Sequence, residues 1–220
     1  NPERVTHCAQ LILEALARKQ LVGCLKHFPG HGSAGMDSHK GMTDVTQTWS
    51  AVELLPYEHL IAAGQVDMVM IAHIFNQNLD PVHPATLSHR VVTGLLREKL
   101  GFDGVVISDD MNMRAITDSY GLKEAVRLAI EAGVDILLFG NNLVYDPHIV
   151  ERVHEIILQL VAEKQIPEER IRRSFQRIMR LKEKLAATGC RQSQRALKGP
   201  SPRAAGTDAC RCRHAEAGPS

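Results

Sequence analysis

"GVVISDD" (residues 104–110) sets a run of Val-Val-Ile between a glycine and an acidic end. It is as long as a strand and β-branched, yet apolar and polar residues do not alternate along it. A strand with one face in water alternates; a strand buried on both faces does not, and parallel sheets covered by helices bury their strands in that way. Three other segments read alike: "LVGCLKHF" (21–28), "VDMVMIAH" (66–73) and "VDILLFG" (134–140).

The stretches between them carry a helical period. Residues 3–19 place Val5, Cys8, Ala9, Ile12, Ala15 and Leu16 on one side. Helices are expected again over 50–64, 87–101 and 122–133, with Ser50 and Ser88 as N-caps and Gly64, Gly101 and Gly133 as stops. Two more follow over 147–163 and 167–186, the second opening at Pro167. Strand alternating with helix is the pattern of a parallel α/β fold. It fits either an open doubly wound sheet or a closed (β/α)8 barrel, and four strands make half of a barrel. Beyond residue 186 large aliphatics almost vanish in favour of Arg, Gly, Pro, Ser and Ala. Residues 1–186 therefore read as the folded domain and 187–220 as a disordered tail.

Apolar residues make up 44% of the 220-residue chain and charged residues 23%, ordinary values for a globular protein. A net charge of +1 provides no field to gather nucleic acid or anionic lipid, so neither is an expected partner. No apolar run reaches the roughly 18–20 residues of a membrane span. The chain opens on Asn1 rather than methionine and reads as a fragment, which hides any targeting signal upstream. Of five cysteines, Cys8 and Cys24 fall in apolar patterns and are expected as small buried thiols. Cys190, Cys210 and Cys212 lie in the tail without the two spaced pairs of a zinc site. Neither G-x-G-x-x-G after a strand nor G-x-x-x-x-G-K-[ST] occurs, so nothing supports a nucleotide cofactor.

Each expected strand ends in chemistry: Lys26-His27, His73, Ser108-Asp109-Asp110 and Gly140-Asn141-Asn142. Parallel strands in such folds deliver their C-terminal ends to one mouth, so these groups converge. Alternation lets only one of Asp109 and Asp110 enter the mouth, leaving the other to cap the following turn. A carboxylate fixed there beside lysine and histidine can attack an electrophilic carbon. The longest loop, 28–49, takes in all of "KHFPGHGSAGMDSH" (26–39) after Lys26-His27. In it His39 can give and take a proton near neutrality, with Asp37 two residues earlier to hold the ring. His27 and His31 are four apart, but Pro29 and Gly30 prevent the helix that would make them a metal-binding face. No metal is expected.

"KHFPGHG", "DSH", "VMIAH", "PATLS", "LLREKLGFDGVVISDDMNM" and "AIEAGVDILL" together resemble glycoside hydrolase family 3, in its β-N-acetylglucosaminidase branch. They stand in the family's order and cover roughly residues 1–185. The resemblance implies a (β/α)8 TIM-type barrel, of which this chain carries about the last four strand-helix units, and retaining hydrolysis with no cofactor. It implies Asp109 as the nucleophile that forms a glycosyl-enzyme intermediate, His39 as acid/base and Asp37 as its partner. Lys26 and His27 are implied to bind sugar hydroxyls, with His73 beside them and Met113 beneath the sugar ring. The implied partner is a carbohydrate ending in β-linked N-acetylglucosamine, such as a peptidoglycan or chitin fragment, and the implied compartment is the cytoplasm.

The chain departs from the family pattern at Ser33, where an aspartate often follows "GHG", and in "KGMTDV" after "DSH", where a proline is frequent. Neither departure removes a matched catalytic position. Lacking the first half of the barrel, the isolated chain is expected to be unstable and to have little activity, because strand edges stay open. A β-glucosidase or glycoside phosphorylase on the same scaffold, or an inactive sugar-binding fragment, are the alternatives. Oligomeric state is not read from the sequence.

Overall fold

A computed structural model of the chain describes residues 1–35, 42–142 and 145–197, with side chains as far as residue 186. In chain order the elements are α1 (Pro2–Arg18), β1 (Cys24–Phe28), β2 (Thr43–Asp44), α2 (Leu55–Ala62), β3 (Met68–Ile71) and β4 (Ile74–Phe75). A helix over Arg90–Lys99 leads to β5 (Val105–Asp110), α3 (Arg114–Thr117), α4 (Leu122–Ala132), β6 (Ile136–Leu138), α5 (Ile149–Ala162) and α6 (Glu168–Leu197).

Four of the strands form one parallel sheet in the order β1-β3-β5-β6. A doubly wound sheet reverses its strand order at one point; here every strand lies beside the next, as strands do around a barrel. This ordering is consistent with a partial α/β barrel. A two-stranded parallel ladder, β2 with β4, accompanies it.

All four expected strands form, β1 and β5 starting later than expected and β3 and β6 trimmed at both ends. Helices start and stop where capping chemistry puts them. The Ser50 side chain accepts the Val52 N–H at the turn Ala51–Leu54, and Ser88 Oγ accepts the Val91 N–H. Gly64, Gly101 and Gly133 all take positive φ, which halts a helix at little cost only in glycine. The helix over Arg90–Lys99 differs from expectation in being wound with i→i+5 bonds. α6 continues to Leu197, past position 186 where the apolar pattern stops, and residues 198–220 lie outside the described residues.

The core lies between sheet and helices. Phe28, Val69, Ile71 and Val106 from the strands meet Leu96, Val92 and Ala129 from the helices, all without exposed surface. Each large side chain buried to that degree stabilises the fold by roughly 1.5–3 kcal/mol. A second cluster, Val126 and Ile130 of α4 with Ile149, Val153 and Leu160 of α5, continues it outward.

α1 departs from its expected packing. Leu13 is its buried residue, and its Cδ2 approaches Gly23 so closely that a Cβ there would fall 2.3 Å away. Val5 and Ile12 are exposed, and so is Cys8, which corrects the expectation of a buried thiol. The cause is that α1 packs through its Leu13 side toward α2 and the chain entering β1, leaving the Val5–Ile12 side uncovered among the described residues. Cys24 is half-buried.

Beneath the sheet, α6 crosses the N-terminal ends of three adjacent strands. Lys184 pairs with Asp67 ahead of β3 at 2.6 Å, and Arg177 and Arg180 pair with Asp103 ahead of β5 at 3.1 and 3.0 Å. Arg170 and Arg177 reach Asp135 ahead of β6, each at 3.5 Å. Asp135 is fully buried and also accepts from Ser174 Oγ (2.7 Å), Val106 N–H (3.0 Å) and Arg97 Nη2 (2.6 Å). Burial pulls the Arg170 guanidinium down to about 10 against the opposing pull of Asp135, so it still carries its charge at neutral pH.

Candidate active site

Two of the four chemistry-bearing strand ends, those of β1 and β5, are bulged. Leu25 pairs with Val69 and Phe28 with Ile71, so β1 fits one more residue than β3 into the interval holding Lys26 and His27. Likewise Ile107 pairs with Ile136 and Asp110 with Leu138, so β5 holds an extra residue at Ser108-Asp109. A bulge bends the strand and re-aims its side chains. Lys26 and His27, which regular alternation would send to opposite faces, therefore both line one cavity.

That cavity has a volume of about 680 Å³ and its rim includes Lys26, His27, His31, Glu53, Tyr57 and Asp109. Apolar residues of α1 and α2, among them Val5, Pro56 and Leu60, complete the lining. The Asp109 carboxylate divides its oxygens. Oδ1 accepts the Asp110 N–H at 2.9 Å, and Oδ2 stands 3.6 Å from His27 Nε2. Behind it, the buried Ser108 hydroxyl accepts the Leu138 N–H, closing the gap that the bulge leaves in the ladder. Asp110 turns elsewhere. Its Oδ1 accepts the Asn112 N–H at 3.0 Å, and its Oδ2 lies 2.6 Å from where a Cβ on Gly140 would sit. One acid of the pair reaches the cavity and the other shapes the turn into α3.

Two expected sugar contacts are corrected. His73 has no exposed surface. Its Nε2 lies 3.1 Å from the Asp110 carbonyl and its Nδ1 2.8 Å from Thr86 Oγ1. Burial holds this imidazole below its ordinary range, outweighing the Asp109 and Asp110 charges. The Thr86 hydroxyl in turn donates its one hydrogen to the Ala72 carbonyl at 2.8 Å, which ties the ring to the chain leaving β3. His73 thus braces the end of β5 from behind. Met113 is likewise fully buried and absent from the cavity wall, because it sits at the turn entering α3, beneath the strand ends. Asp37 and His39 lie outside the described residues.

Two groups at the cavity went unselected in the sequence. His31 stands with its ring 6.0 Å from that of His27, and Glu53 closes over the loop leaving β1. The "KHFPGHG" motif marked His31; an acid near a helix start, as Glu53 is, looks ordinary. Tyr57 packs edge-on to Phe28 at 5.1 Å, its phenol pushed well up by burial, with Cys24 and Glu53 adding to the rise. Among the described residues no three His, Cys, Asp or Glu side chains are placed to hold a metal ion. No helix among them is long and apolar enough to cross a membrane.

Comparison with known proteins extends this geometry. Residues 1–181 match the family model described as the glycosyl hydrolase family 3 N terminal domain. A beta-hexosaminidase of Tolumonas auensis is 36% identical over 145 residues, which cover 64% of this chain and 43% of that protein. Beta-hexosaminidase A of Pseudoalteromonas piscicida is 32% identical over 202 residues, covering 84% of this chain and 34% of that one. The structure of a glycoside hydrolase family 3 beta-N-acetylglucosaminidase from a Paenibacillus species superposes with a TM-score of 0.77 at 37% identity, over 84% of this chain and 35% of its own. The chain therefore spans well under half the length of these relatives.

Proposed function

We propose, because this chain belongs to glycosyl hydrolase family 3, that it carries the nucleophile side of a retaining glycosidase releasing terminal β-linked N-acetylglucosamine. The observation that carries the reading is Asp109: a carboxylate on a bulged strand end, one oxygen held by backbone and the other turned to His27 and the cavity.

In the first step Asp109 Oδ2 attacks the anomeric carbon while the bond to the aglycone oxygen breaks. His39 gives its proton to that oxygen, and a glycosyl ester to Asp109 results. In the second step His39 takes a proton from water, the hydroxide oxygen bonds to the anomeric carbon, and the ester bond returns its electron pair to Asp109. Two inversions give net retention. Asp37 orients the imidazole and balances its charge when protonated. Lys26 and His27 donate to sugar hydroxyls and keep positive charge beside the nucleophile. Muropeptides or chitin fragments as substrates, and the cytoplasm as compartment, belong to the proposal on the strength of the family resemblance.

The test is the stereochemistry of turnover. The weak turnover expected of the 220-residue chain on a nitrophenyl N-acetyl-β-glucosaminide should release the β-anomer first, as seen by proton NMR before mutarotation. First appearance of the α-anomer, N-acetylglucosamine 1-phosphate formed in phosphate buffer, or no turnover would each overturn the reading for this chain.

A further inference from the structure

We propose that Glu53 is a positioning residue for the loop leaving β1, its carboxylate pinning residues 30–33 at the cavity rim. Both oxygens are engaged there: Oε2 accepts the Gly32 N–H at 3.1 Å and Oε1 accepts the Ser33 hydroxyl at 2.7 Å. The fit requires glycine at position 30. Gly30 has φ +122, and a Cβ on it would fall 2.6 Å from both Cβ and Oε2 of Glu53. From the other side the Trp49 Nε1–H donates to the Pro29 carbonyl at 3.0 Å, and the Gly30 N–H donates to the His27 carbonyl at 2.9 Å. The stem of the loop is therefore held between an indole and a carboxylate.

Among the described residues, Glu53 and Asp109 are the two carboxylates in the cavity lining. A pair of acids in a glycosidase cavity invites the assignment of the second as proton donor. Glu53 does not suit that task, since both its oxygens already accept from the loop. What it does instead is fix the segment that carries His31 toward His27 and leads on to the expected acid/base residues. The Ser33 hydroxyl is essential to this contact: an aspartate at 33 would set two carboxylates against each other.

The link to catalysis rests on the proposed hydrolase reading; the latch itself does not, and two readouts keep them apart. The first is hydrogen exchange on the full chain and its Glu53→Ala, Glu53→Gln, Ser33→Ala and Ser33→Asp variants. Losing the charge-assisted bond should speed exchange at the Gly32 amide about ten- to a hundredfold in Glu53→Ala and Ser33→Asp. Glu53→Gln, which keeps an acceptor oxygen, should fall between, and β3 and β5 should exchange as in the parent. Unchanged exchange at residues 30–33 in both Ser33 variants overturns the latch, whatever becomes of Glu53→Ala. The second readout is leaving-group dependence. A dinitrophenyl glycoside departs with little help from an acid and an alkyl glycoside does not, so Ser33→Asp should lower kcat far more for the alkyl substrate, with KM little changed. Equal losses on both would overturn the positioning role while leaving the hydrolase reading intact. A parent chain without turnover would overturn that reading and leave the exchange measurement to decide the latch.

Discussion

His27 Nε2 stands 3.6 Å from Asp109 Oδ2, and each of the two side chains leaves its strand at an inserted residue. Regular pairing would have carried one residue fewer on β1 and on β5, and so a different set of side chains into the cavity. The bulges are what bring the His27 ring to the Asp109 carboxylate.

Lys26 leaves the same bulge as His27 and is exposed at the cavity. Lys26→Met keeps its apolar stem and removes the ammonium. Loss of a charged hydrogen bond to a sugar hydroxyl should lower kcat/KM by about ten- to a hundredfold, with little change in thermal stability. Steady-state kinetics beside a melting curve separates the two effects.

His73 gives the chain an acid-sensitive brace. Its native pKa lies below the ordinary value, so as pH falls the unfolded chain takes up a proton before the folded one does. Stability is then fully present above the unfolded value of about 6.5 and declines below it, by up to about 1.4 kcal/mol per pH unit until the native ring also protonates. Asp80 and Asp103, whose carboxyls are held low by hydrogen bonds and by the arginines at Asp103, act in the more acidic carboxylate window. Urea unfolding between about pH 7.5 and about pH 5.5 should show this slope, and His73→Gln should flatten it.

Thr86→Val tests the same brace at fixed pH. It removes the hydroxyl facing His73 Nδ1 and leaves a buried ring nitrogen unpaired. A loss of about 1–3 kcal/mol in unfolding free energy is expected.

The ladder under the sheet should respond unevenly. The Asp135 side chain is fully buried among Arg97, Arg170 and Arg177, and Asp135→Asn takes away the carboxylate that Arg97 and Arg170 pair with, at a cost of roughly 3–5 kcal/mol. Lys184 is mostly exposed, and Lys184→Ala at the other end should cost under about 1 kcal/mol. Chemical denaturation of both variants checks the contrast.

What the sequence made legible follows from what each signal depends on. The four sheet strands were readable because burial on both faces writes itself into a continuous apolar run such as "GVVISDD", and helix ends because Gly64, Gly101 and Gly133 meet a local backbone need. The bulges were not, since register belongs to a pair of strands and Lys26-His27 reads the same with or without an extra residue. His73 at a strand end looks alike whether it faces a ligand or a neighbouring carbonyl; Thr86 and Asp110, distant in sequence, decide it. The face of α1 was legible as amphipathic, but which side is covered depends on its neighbours. Glu53 carried no local signal, because its partners are some twenty residues earlier in the chain.

The most direct test of the nucleophile is to trap it. Incubating the chain with a slow fluorinated N-acetylglucosamine analogue bearing a good leaving group, then mapping peptides by mass spectrometry, should place one sugar ester on Asp109 and none in Asp109→Asn. A label on Asp110 or Glu53, or one that persists in Asp109→Asn, would contradict the account.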